Sequence, residues 1–171
     1  LIKSLNYFDF GDEEYHHIAF GTINDSNGNP YKTREGDAKK LINLFKETSL
    51  QIKKINSDLD DGTNKLLANT VLTFSDLKTN RMTDYKFDLN KFTNTSGKTG
   101  IYVQYAFVRA KKLLNGSSIN TSKINLNIAD LDESDLSLIR GMIKFEYFFN
   151  LALENNEPHH LADYLYELSN L

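Results

Sequence analysis

The chain changes character at one place. Up to Phe92, helical and alternating apolar patterns are mixed, whereas beyond Gly100 the helical period dominates. Between them, Thr93-Asn94-Thr95-Ser96-Gly97-Lys98-Thr99-Gly100 holds no apolar side chain. A run of that composition reads as a linker between two subregions. With 171 residues there is room for one medium domain or two small ones packed together. The expectation is an α/β part over 1–98 followed by an all-α part over 99–171.

In the first part, Tyr15 to Ile23 reads as a strand and Asp25 to Pro30 as the turn that ends it. The loop Tyr31-Lys32-Thr33-Arg34-Glu35-Gly36 follows, and Asp37 is placed to cap a long helix carrying Leu41, Leu44, Phe45, Ile52 and Ile55. The acidic stretch Asp58 to Gly62 stops that helix. Leu67, Val71 and Phe74 mark a second helix, Ser75 to Thr83 reads as irregular, and Asp84 to Asp88 alternates like a short strand. In the second part, Ile101 to Leu114 is one helix and Lys123 to Ile128 reads as extended. Asp132 to Leu153 is a single long helix with Leu138, Met142, Phe145, Phe149 and Ala152 along one stripe. Pro158 belongs in the first turn of a last helix, where its missing N–H costs nothing, and Leu161, Leu165 and Leu168 give that helix its apolar face.

Composition excludes several function classes. No run approaches the ~20 apolar residues that span a bilayer. The absence of Cys removes disulfides, thiolate zinc sites and cysteine nucleophiles together. The start, Leu1 to Asn6, lacks the features of a signal peptide, so the cytoplasm is the expected compartment and the chain is expected to begin inside a longer one. Gly97-Lys98-Thr99 resembles the end of a phosphate-binding loop, but Phe92 stands where that loop needs Gly. The pairs His16-His17 and His159-His160 lack the i,i+3 or i,i+4 spacing of ligands on one helix face, so no metal site is expected.

Two features carry chemistry. Lys32 and Arg34 lie in a Gly-containing loop ahead of a helix N-terminus, an arrangement suited to a phosphate; the alternative is a plain solvated turn. On the helix after the linker, Val103, Phe107, Ala110 and Leu114 form an expected core stripe, and Tyr102, Tyr105, Arg109 and Lys112 form the stripe beside it. Two rings and two cations in a row suit stacking on unpaired bases and neutralising phosphates. The alternative is that the tyrosines extend the edge of the core with their hydroxyls in water. Net charge is -3, yet Arg109, Lys111, Lys112 and Lys123 stand in residues 100–125 with no acid among them.

Five stretches then take on meaning together: Tyr31 to Gly36, Phe74 to Leu77, Asn80 to Asp88, Tyr102 to Arg109 and Pro158 to Leu168. In this order and at these intervals they resemble arginyl-tRNA synthetase, a class I aminoacyl-tRNA synthetase, over the whole chain. The resemblance implies the end of a Rossmann-like class I catalytic domain with its stem region over 1–98. It implies a helical-bundle anticodon-binding domain, incomplete at its C-terminal end, over 99–171. It further implies ATP- and Mg²⁺-dependent ligation of arginine to tRNA(Arg) through arginyl-adenylate, by a cytoplasmic, mostly monomeric enzyme. Lys32 and Arg34 fall where the class carries its Lys-Met-Ser-Lys-Ser loop, with Glu35 near the position of the second Lys. Tyr102, Tyr105 and Arg109 match positions facing the anticodon stem-loop. No His-Ile-Gly-His motif occurs in these residues, so the chain by itself is expected to be inactive. The alternative from another class is a free-standing RNA-binding helical module without chemistry.

Overall fold

Asp60 stands directly ahead of the central helix of the fold. Its carboxylate accepts from the Thr63 N–H at 2.9 Å and the Thr63 hydroxyl at 2.6 Å, capping the helix that follows. The computed structural model describes residues 4, 7, 8, 15–24, 28–30, 41–117 and 127–171. Its elements are β1 (Ile23–Asn24), α1 (Leu41–Ile55), α2 (Asp61–Leu77), β2 (Tyr85–Lys86), α3 (Leu89–Phe92), α4 (Gly100–Gly116), a 3₁₀ turn (Ile128–Asp130), α5 (Glu133–Ile143), α6 (Phe145–Asn155) and α7 (His159–Leu168). No helix among the described residues is long and apolar enough to cross a membrane.

The strands pair in parallel, Ile23 with Tyr85 and Asn24 with Lys86. The expected strand over Tyr15 to Ile23 shrinks to its last position and Asn24, because only the segment facing Tyr85 and Lys86 finds a hydrogen-bonding edge. The expected irregular stretch begins later than Ser75, since α2 runs to Leu77 with Ser75 buried inside it. The loop Tyr31 to Gly36, the cap Asp37 and the expected extended segment from Lys123 as far as Leu126 lie outside the described residues.

α2 is the hub. α1, α4 and α7 all pack against it, and Ala68 and Val71 are fully buried beside Ile52 and Phe92. Gly100 explains how closely α4 approaches: a Cβ there would stand 2.7 Å from the Thr70 carbonyl oxygen and 2.9 Å from the Phe74 Cβ. The residues between α3 and α4 form a tied joint. Thr93 and Thr99 are buried; their hydroxyls donate to the Leu89 and Asn94 carbonyls, both at 2.8 Å. Lys78 reinforces the joint by donating to the Lys98 carbonyl at 2.8 Å. Burial, then the charges of Lys91 and Lys98, push the Lys78 ammonium below its usual range.

The single helix expected from Asp132 to Leu153 is two. At Lys144 the N–H bonds back to Gly141, and α6 departs in a direction that sets Phe145 and Phe148 against the buried Tyr164 of α7, with ring centroids 5.9 and 5.4 Å away. Of the expected stripe, only Ala152 is buried; Leu138, Met142, Phe145 and Phe149 are 40–50% exposed.

Candidate nucleic-acid interface

Thr99 starts α4 by accepting from the Tyr102 N–H at 3.2 Å. From that cap the helix carries its aromatic and basic residues past two different surroundings. Its N-terminal half is held between α2 and α7. Tyr102 is half-buried there, with its ring 5.6 Å from that of Tyr166, and its hydroxyl donates to Asn170 at 2.9 Å. One turn on, Tyr105 is 60% exposed, and Arg109, Lys111 and Lys112 are exposed beyond it. The expected row therefore divides. Tyr102 holds α4 on the α7 end of the bundle, whereas Tyr105, Arg109 and Lys112 present a ring and two cations outward.

The expected core stripe on α4 is corrected. Val103 is half-buried, but Phe107 is 60% exposed, Leu114 is 54% exposed and Ala110 is exposed, because no described element covers the second half of the helix. Lys111 stands over the Phe107 ring, 5.8 Å from its centroid. The outer half of α4 thus offers aromatic and aliphatic surface studded with cations and no acid. Unpaired bases and phosphates match that chemistry.

Lys32 and Arg34 lie outside the described residues, so no geometry is assigned to them. An apolar groove of about 780 Å³ between α1, α2 and β2, lined by Leu44, Phe45, Leu72 and Leu77, opens at Leu41.

At the start of α7, Glu157, His159 and His160 bring possible ligand atoms within 4.8 Å of one another. The adjacent imidazoles of His159 and His160 stack, 4.1 Å between centroids and tilted by 34°. Glu157 already has partners, His160 Nε2 at 3.0 Å and the Asn80 amide at 3.4 Å. Burial raises its pKa, but His160, His159 and Asn80 outweigh burial and hold the carboxyl below its usual range. The cluster as built serves the contact between the Asn80 turn and α7.

Sequence reasoning missed the extent of that contact. Arg81 donates to the carbonyls of Ala19 at 2.6 Å, Asn156 at 3.0 Å and Asn155 at 3.4 Å. Its own carbonyl accepts from the Gly21 N–H at 2.6 Å. Asn80 and Arg81 stand in a stretch already singled out, but a partner 75 residues away leaves no local signal.

Comparison with known proteins gives two family matches, one after the other along the chain. The model of the class I tRNA synthetase (R) catalytic domain matches residues 1–89, more than half of the chain. The chain belongs to the class I (R) tRNA synthetase family. A second model, the DALR anticodon binding domain, matches residues 103–171, which contain all of α4 after its first turn. Arginine–tRNA ligases of Francisella tularensis and Hyphomonas neptunium are 35% and 33% identical over 90% and 92% of the chain. The chain spans 28% of the length of these curated relatives. Among solved structures, the Thermus thermophilus arginyl-tRNA synthetase superposes with a TM-score of 0.79 at 25% identity, over 91% of this chain and 26% of that one. The Plasmodium falciparum arginyl-tRNA synthetase gives 0.73 at 25% identity, over 99% and 30%. In this class I family member, a segment of the catalytic domain is therefore followed by a helical anticodon-binding domain.

Proposed function

We propose that these residues work as part of an arginine–tRNA ligase, which joins arginine to tRNA(Arg) through arginyl-adenylate with ATP and Mg²⁺. The observation that carries this reading is the order of the two family matches, catalytic then anticodon-binding, with a bare aromatic and basic surface on α4 inside the second. On this reading Tyr105 stacks on an unpaired anticodon base while Arg109 and Lys112 neutralise phosphates of the stem-loop. Tyr102 contributes by fixing the pitch of α4 against Tyr166 and Asn170. Lys32 and Arg34 supply preorganised cations where negative charge develops on the departing pyrophosphate. The working division is 1–98 and 99–171, in a monomeric cytoplasmic enzyme.

Charging by the ligase that contains these residues, assayed with each amino acid in turn, tests the reading. Arginine alone is esterified, ATP is required, and Lys32→Ala or Arg34→Ala lowers kcat by about 10²-fold or more. The 171-residue chain assayed alone gives no turnover. Charging of another amino acid, or full activity of both variants, contradicts the assignment.

A further inference from the structure

The contact around Arg81 joins the two family segments. Ala19, Gly21 and Arg81 belong to the stretch matched by the catalytic-domain model, and Asn155 and Asn156 to the stretch matched by the anticodon-binding model. At the end of α6, Asn156 takes a left-handed conformation (φ 53°, ψ 43°), and the chain turns there into α7. The carbonyls of Asn155 and Asn156 have no helix N–H ahead of them and point at one guanidinium. A cation there also meets the negative end of the helix dipole. The same guanidinium is anchored on its other side by Ala19. Gly21 shows how tightly this segment is drawn in, because a Cβ would stand 2.7 Å from the Thr83 carbonyl carbon. The Asn80 amide on Glu157, one residue away, adds a second tie.

We propose that Arg81 is a positioning residue, which clasps the end of α6 and so fixes the anticodon-binding helices relative to the catalytic segment. The route onward is continuous. α6 turns into α7 at Asn156, α7 packs on α4, and Asn170 just beyond α7 holds Tyr102, one turn before Tyr105. Three carbonyls spread around a planar fork require arginine; a lysine ammonium serves the same charge without the fork. The mechanical claim stands on the geometry alone, while its consequence for charging rests on the ligase reading.

Two measurements separate these. The chain has no Cys, so Lys86→Cys and Glu154→Cys give a unique pair of spin labels across the contact. Pulsed-dipolar spectroscopy gives one narrow distance for Arg81, a broad distribution for Arg81→Ala and an intermediate one for Arg81→Lys. Circular dichroism establishes that each variant is folded, and should the alanine variant unfold, the lysine variant decides. In the ligase, Arg81→Ala lowers kcat for charging by about a hundredfold, the scale of an ångström-level misplacement. Its equilibrium affinity for tRNA(Arg) stays within about threefold, whereas loss of an RNA contact lowers affinity itself. An unchanged narrow distance in folded variants overturns the clasp. Broadening with unaltered kcat overturns its role in charging. A wild-type ligase that charges another amino acid overturns the ligase reading, and the label distance still judges the clasp.

Discussion

Tyr102 and Tyr105 lie one helical turn apart, and the period of the sequence places them on one stripe. Their environments nevertheless differ, because α7 covers the first and nothing described covers the second. Tyr102→Phe is expected to cost stability by about 1 kcal/mol, one hydrogen bond to Asn170, and to leave tRNA affinity unchanged; denaturant melts and a binding isotherm check both. Asp84 offers a prediction in pH. The Thr22 N–H, 2.6 Å from its carboxylate, and then the Thr22 side chain hold it below the ordinary value of 3.8. Because the folded pKa is the lower one, its contribution is fully present above about pH 4 and fades as pH falls through the folded value. Asp84→Asn should therefore unfold at lower urea than the parent above about pH 4, with the gap closing on further acidification. A gap that widens toward acid contradicts the assignment.

At the scale of elements, helices were legible where an amphipathic period met its own packing partner. α2 follows its apolar spacing because it has neighbours on its buried side, with Val71 and Phe74 buried, whereas Leu41 and Ile55 at the ends of α1, Leu165 of α7 and the second half of α4 stay exposed. The break at Lys144 was not legible, since Asp132 to Leu153 keeps a helical period across it. What divides α5 from α6 is the need to lay Phe145 and Phe148 on Tyr164, a residue of the next helix. Likewise, the polar run after α3 looked like a linker, but buried Thr93 and Thr99 make it a fixed joint. Gly100 belongs to that joint. Gly100→Ala pushes a methyl into the Thr70 carbonyl and Phe74, an overpacking expected to cost roughly 1–3 kcal/mol. Thermal unfolding reads this as a lowered Tm, and a Tm equal to the parent's shows that α4 can retreat without cost.

At the scale of the molecule, composition suggests two parts, and the two family matches run in order along the chain, catalytic over 1–89 and anticodon-binding over 103–171. The arrangement of the parts was not visible, because it depends on Arg81, Asn80, Lys98 and Asp163 making contacts far along the chain. The exposed half of α4 was half-read. Its cations were expected to face outward, but Phe107 and Leu114 were expected inside, and the sequence period alone cannot tell a covered stripe from an open one. On the proposed reading, that open surface is what meets the anticodon. The most direct test is a titration of the protein with tRNA(Arg) and with the same tRNA carrying a changed anticodon, at two salt concentrations. Tyr105→Ala and Arg109→Ala are run alongside. Weaker binding is expected for the changed anticodon, and a loss of about 1–3 kcal/mol for Tyr105→Ala, one stacked base. For Arg109→Ala the salt slope falls by about one phosphate contact. Binding that ignores the anticodon and is untouched by either substitution would contradict anticodon recognition by α4.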